Sequence, residues 1–174
     1  DMLNPYFSAS EIHLGLTNFS QDDLNMLIVM FNDAYIPYYE KHVNNVYAKT
    51  DMAKLEADIR SMEAPFAKYS NAYFRTYRNY RYGMLKMLAN QQKTRSLSEE
   101  YFAGNPVLYN NPAYGDLFNQ VFDKYFLYLG RTEYGKQIYT DINQLASYHT
   151  LKQTLEKTGG FENDSLNELV ILKQ

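Results

Sequence analysis

The sequence predicts an all-α protein: an irregular multi-helix bundle around a central buried helix at about 112–129, with a short extended N-terminal segment. Three observations predict it. Apolar residues recur at i, i+3, i+4 and i+7 through four turns of residues 112–129, the period of a helix with neighbours on most of its circumference. Other stretches repeat that period, each opened by a Ser, Thr, Asp or Asn able to cap a helix. The polar–apolar alternation of a strand occurs at Glu11–Leu16, a single short segment that cannot form a sheet alone.

At 174 residues the chain suits one domain with a sizeable core. With 45% hydrophobic and 21% charged residues it is globular rather than disordered. A formal net charge of −3 argues against a general nucleic-acid binder. No apolar run approaches the roughly 20 residues of a membrane span. Without cysteine there is no disulfide, thiolate chemistry or Cys-ligated metal in this segment. Tyr (18) and Phe (10) are abundant while Trp is absent, which points to a ring-filled core with wet tyrosine hydroxyls at its rim. A sugar- or base-stacking surface is the sharper alternative.

Residues 1–20 read as an extended lead-in. The segment either lies along the helices or ends a β domain placed upstream, and His13 falls on its polar side as a bystander. Residues 21–174 read as the helical domain. Ser20 opens the first helix, with Asp22 and Asp23 in the first turn. Its apolar stripe runs through Leu24, Leu27, Ile28, Phe31, Tyr35, Tyr38, Tyr39, Val43 and Val46, and Pro37 is expected to kink it near 33–36. Thr50 or Asp51 caps the second helix, whose Met52, Leu55, Ile59, Met62 and Phe66 step by 3 and 4 as a narrow antiparallel seam. Pro65 breaks it before a third helix at about 67–92. A short helical turn from Ser96 or Ser98 sends Tyr101 and Phe102 into the core, and Gly104-Asn105-Pro106 ends it.

The central helix is capped by Asn110 or Asn111, carries Pro112 at its first position and stops at Gly130. Beyond it, Thr132 caps a helix bearing Tyr134, Ile138, Ile142 and Leu145. Ser147 caps another with Leu151 and Leu155, closed by Gly159-Gly160. Asp164 or Ser165 caps the last, Ser165 and Glu168 fitting a capping box. Its dense apolar run stops after barely two turns, so the natural polypeptide is expected to continue.

The most chemically suggestive stretch is Tyr73–Tyr82 in the third helix. Arg75, Arg78 and Arg81 fall about 60° apart around the axis and share one broad face with Tyr77 and Tyr80. One reading is an anion-binding or contact face of guanidinium forks and rings. The other is a solvated face whose Arg stems cover Tyr rings and pair with acids of the second helix, which the acidic balance favours. No HExxH, CxxC, GxSxG or P-loop pattern is present, nor the Glu-x-x-His pair of a di-iron bundle. His42 and His149 read as surface residues. No catalytic residue, metal ligand or cofactor is nominated; Arg75, Tyr77, Arg78, Tyr80 and Arg81 stand as the candidate binding residues.

Asn4-Pro5-Tyr6-Phe7 with Glu11–Leu16, Tyr77–Leu85, Tyr101-Phe102 through Tyr114 and Asp164–Lys173 together resemble the helical middle region of extracytoplasmic TlpA-like, thioredoxin-family disulfide reductases of Gram-negative bacteria. The resemblance spans nearly the whole chain. It implies a β domain before the helices, a thioredoxin-fold domain after them, and a periplasmic or envelope location. The family's CxxC would lie downstream, so no catalytic residue carries over. The function expected is a non-catalytic helical accessory domain that spaces or dimerises the redox domain or contacts its client. The alternative is an aromatic-pocket binding module for a glycan or anionic metabolite. A third reading is an enzyme whose site joins Arg78, a tyrosine hydroxyl and a buried carboxylate.

Overall fold

Helices form where side-chain caps and apolar periodicity coincide. Asp51, Asn71, Asn111 and Asn163 each stand just before a helix and accept a hydrogen bond from a first-turn N–H. The computed structural model describes residues 20, 22–44, 51–89, 94–133, 135–159, 161 and 163–174. Among them the fold is all-α. In chain order the helices are α1 (Leu24–Val43), α2 (Met52–Glu63), α3 (Ala72–Leu88), α4 (Thr94–Ser98), α5 (Pro112–Val121), α6 (Tyr125–Gly130), α7 (Lys136–Thr140), α8 (Tyr148–Gly159) and α9 (Asp164–Lys173). A 3-10 turn (Ala64–Phe66) follows α2, and wider π turns follow α4 (Glu99–Ala103) and α7 (Asp141–Leu145). The expected strand, His13, Val46 and Tyr134 lie outside the described residues.

The rings of the core form two clusters. Phe31 of α1 meets Phe66, Phe74, Tyr77 and Tyr82 edge-on at centroid distances of 5.6–6.2 Å. Phe102 of the first π turn meets Tyr114, Phe118 and Phe122 at 5.1–6.0 Å, and Phe122 continues to Tyr125 and Phe161. Such edge-to-face pairs add about 0.5–1.5 kcal/mol each beyond burial. Helix α3 belongs to both clusters, through Phe74, Tyr77 and Tyr82 on one side and Tyr80 on the other. It packs against α1 and α5. Gly83 permits the close approach to α5: a Cβ there would stand 2.7 Å from Leu117 Cδ2 and 2.9 Å from Tyr101 Cε1.

Several expectations are corrected. The segment 112–129 is as buried as its periodicity implied, but it is not one helix. It breaks after α5, with Lys124 in the left-handed region (φ 54°, ψ 31°) before α6. The Gln174 side chain bridges this break, its Nε2 donating to the Phe122 carbonyl (2.7 Å) and its Oε1 accepting from the Phe126 N–H (3.0 Å). Backbone groups orphaned by the interruption are thereby satisfied. The first helix starts at Leu24 rather than Ser20, with Asp23 accepting from the Ser20 N–H. It continues through Pro37, and the third helix is shorter than expected, capped by Asn71. Asn163 takes the cap given to Asp164 or Ser165. Gly135 rather than Thr132 stands at the start of α7. The π turn after α7 then shifts the helical phase, so Ile142 and Leu145 face solvent and Asp141 is buried. Asp141 is held there by the Thr154 hydroxyl of α8 and the Gln137 amide.

Candidate functional site

Helix α3 is amphipathic, but its rings and guanidinium groups do not share one surface. Arg75 is exposed, Arg78 is 2% exposed, and Arg81 is half-buried. Tyr77 and Tyr80 are buried. The five candidates therefore separate into three environments.

Arg78 braces α2 to α3. Its Nη2 lies 2.9 Å from Glu63 Oε1, its Nη1 donates to the Phe66 carbonyl at 2.9 Å, and its guanidinium sits 4.3 Å from the Phe74 ring centroid. Tyr82 donates to the other Glu63 oxygen at 2.8 Å. Burial, reinforced by the hydrogen bond to the Glu63 carboxylate, pushes the Tyr82 hydroxyl well above the usual phenol range. An arginine, a tyrosine hydroxyl and a carboxylate do converge here, yet Arg78 lines none of the concavities described below. Arg81 binds in the opposite direction, its Nη1 2.9 Å from Asp116 of α5 and its Nε donating to the Tyr77 hydroxyl, which donates in turn to Asn32 of α1. Its guanidinium also lies over the Tyr35 and Tyr77 rings. Tyr80 donates to the Tyr101 carbonyl, and burial pushes its hydroxyl up to about 12.

Pairing with the second helix, one of the two readings of this face, describes Arg78; Arg81 pairs with α5. Arg75 differs, having no ion-pair partner among the described residues. It lies with Thr76 and Asn79 along the edge of α3 that faces the 105–111 loop. Two open concavities adjoin there, sharing Thr76 and Leu108. One, of about 470 Å³, is bordered by Arg75, Asn79, Tyr80, Asn105 and Pro106. The other, of about 360 Å³, is bordered by Tyr73, Val107, Tyr109 and Asn110. Tyr73 and Asn79 lie in the Tyr73–Tyr82 stretch that the sequence singled out, but neither they nor Tyr109 stood among its candidate binding residues. The only signal of the groove's other wall was turn chemistry at Asn105-Pro106 and Asn110-Asn111-Pro112, which marks a loop and not its partner.

A second surface lies at the C-terminal end of the bundle. An open concavity of about 580 Å³ is lined by apolar Phe126, Leu127, Tyr139, Ile142, Leu151 and Ile171 and by polar Asp123, Lys124, Asn143, Lys173 and Gln174. Leu127, Tyr139 and Ile142 are exposed there, and Leu145, Tyr148 and Leu172 are exposed elsewhere on α8, α9 and the second π turn. Sequence periodicity placed Ile142 and Leu145 on a helical stripe and singled out none of Leu127, Tyr139 and Tyr148, so it could not show them as a surface.

His42, expected at the surface, is buried in the α1 seam, two turns of the stripe beyond Tyr35. Burial and the adjacent Lys41 cation hold its imidazole below the ordinary value. His149 is exposed and contacts Gln153. Among the described residues no group of three or more His, Asp or Glu could hold a metal ion. No helix among them is long and apolar enough to cross a membrane. No family model, curated protein or solved structure matches this chain.

Proposed function

We propose that this chain is a non-catalytic helical contact module, the accessory domain of an envelope thioredoxin-like disulfide oxidoreductase, which holds a protein partner through the apolar surface beside α6 and α9. The partner is the downstream thioredoxin-fold domain, its client or a second copy of the module. The observation that carries the reading is the concavity walled by Leu127, Tyr139 and Ile142, with exposed Leu172 on the adjacent α9. Exposed apolar side chains gathered around one concavity mark interaction surfaces more often than isolated ones do. The location and the redox context rest on the resemblance of the four sequence segments. Arg78 and Arg81 serve the interior in this reading, because their guanidinium groups are already paired.

Two measurements test it. Insulin reduction by the 174-residue chain with a dithiol reductant should not exceed the reductant-only rate, and turnover above that rate overturns the non-catalytic assignment. Ile142→Lys should leave the circular-dichroism melt nearly unchanged, because the side chain is exposed, and should abolish association with an added thioredoxin-fold domain or the self-association seen by sedimentation. If the wild-type chain shows neither association, the contact assignment falls.

A further inference from the structure

The groove between α3 and the 105–111 loop has a charge and a shape that the contact reading does not use. Among the described residues its lining holds one charged side chain, Arg75, and no carboxylate. Arg75, like several other cations, has no ion-pair partner among the described residues, in contrast to Arg78, Arg81, Lys86, Arg95 and Lys152, which pair with acids. Asn79 stands one helical turn after Arg75 on the same exposed edge. Its amide and the guanidinium thus point a donor pair at one end of the groove. The other end is apolar and aromatic, formed by Tyr73, Val107, Leu108 and Tyr109.

The walls are fixed before any ligand arrives. Tyr73 donates to the Asn110 carbonyl at 2.9 Å, tying α3 to the far side of the loop. Asn111 caps α5 through its side chain, and its N–H donates to the Leu108 carbonyl. Asn105 is held from both sides. Its amide donates to the Tyr101 carbonyl at 3.1 Å, while its own carbonyl accepts from Asn163 at 3.1 Å. A preorganised loop lowers the ordering penalty of binding.

We propose that this groove is a binding site for a small amphipathic organic anion, a carboxylate on a short aryl or branched-alkyl body. The carboxylate meets the Arg75 fork and the Asn79 amide, and the apolar body lies against Leu108 and the Tyr73 and Tyr109 rings. The two concavities, about 360 and 470 Å³, have the size of small-molecule sites. Charge decides between the ligand classes an aromatic pocket could take. A neutral glycan leaves the guanidinium without a partner, whereas a carboxylate accepts two parallel hydrogen bonds from it.

The test is amide-resolved NMR titration of the whole 174-residue chain with phenylacetate, benzoate and isovalerate, each beside its neutral carboxamide. Saturable shifts are expected in residues 72–79 and 105–111 for at least one acid, with its amide weaker by about tenfold or more, the factor for one lost charge-assisted contact. Arg75→Gln should erase that acid-over-amide preference, and Asn79→Asp should weaken the acid by placing a like charge beside it. Both side chains are exposed, so unchanged melting temperatures will separate lost binding from lost folding. Equal affinity for acid and amide, a preference that survives Arg75→Gln, shifts mapping elsewhere, or no saturable shift with any acid overturns the proposal. None of these outcomes bears on the apolar surface at α6 and α9.

Discussion

Replacing Arg78 with methionine tests whether the α3 guanidinium groups are structural braces or surface contacts. Methionine keeps most of the stem volume against Phe66 and Phe74 but removes the contacts to Glu63 and the Phe66 carbonyl. Breaking a fully buried pair costs about 3–5 kcal/mol. The Glu63 side chain is 36% exposed and keeps the Tyr82 hydroxyl, so water and that bond offset part of the loss. The remainder is about 1–2 kcal/mol, mostly the Phe66 carbonyl left without its charged donor. For a domain of this size that is a fall in melting temperature of roughly 2–8 °C. Glu63→Gln should cost a similar amount, and the double variant less than the sum, because the second change removes the group stranded by the first. Arg75→Met, by contrast, should fall within about 0.5 kcal/mol of wild type. Urea unfolding followed by circular dichroism at 222 nm suits a chain that has no tryptophan. If Arg78→Met proves as stable as Arg75→Met, or the two network changes add fully, the guanidinium is not a brace and the reasoning fails.

Four further outcomes follow from the core. His42 is held below its ordinary value, so the unfolded chain takes up its proton first as pH falls. Stability should therefore decline below about pH 6.5, by up to about 1.4 kcal/mol per pH unit for this one group, until the depressed folded value is reached; His42→Gln should flatten the urea-midpoint profile there. At the alkaline end, Tyr80 and Tyr125 are each raised to about 12 by burial, so their contribution is intact below about pH 10 and lost as pH climbs toward 12; absorbance near 295 nm should show their ionisation together with unfolding. The buried Tyr35 hydroxyl has no hydrogen-bond partner among the described residues, whereas Tyr80 donates to Tyr101. Tyr35→Phe should thus be neutral or stabilising, and Tyr80→Phe should cost about 0.5–1.5 kcal/mol in the same unfolding assay. Gly83→Ala forces a methyl against Leu117 and Tyr101 and should destabilise by about 1–3 kcal/mol, despite alanine's better helix propensity.

By itself the sequence determined the all-α class, helix caps at 50–51 and 110–111, the burial of Tyr101 and Phe102, and the polar edge Asp116, Asn119, Gln120, Asp123 and Lys124 of the 112–129 segment. These follow from local rules, a period of 3.6 and a side chain able to reach the next N–H groups, and they need no distant partner. Tertiary structure alone decided the rest. The break at Lys124 is stabilised by Gln174, fifty residues away, and the exposure of Ile142 by a π turn that Asp141 and Thr154 hold in place. The three arginines of α3 are alike in spacing but not in surroundings. Glu63 claims one, Asp116 another, and only the fold leaves Arg75 beside an open groove. Periodicity says which way a side chain leaves its own helix. Whether a carboxylate, a ring or water meets it depends on residues that the chain brings there from elsewhere.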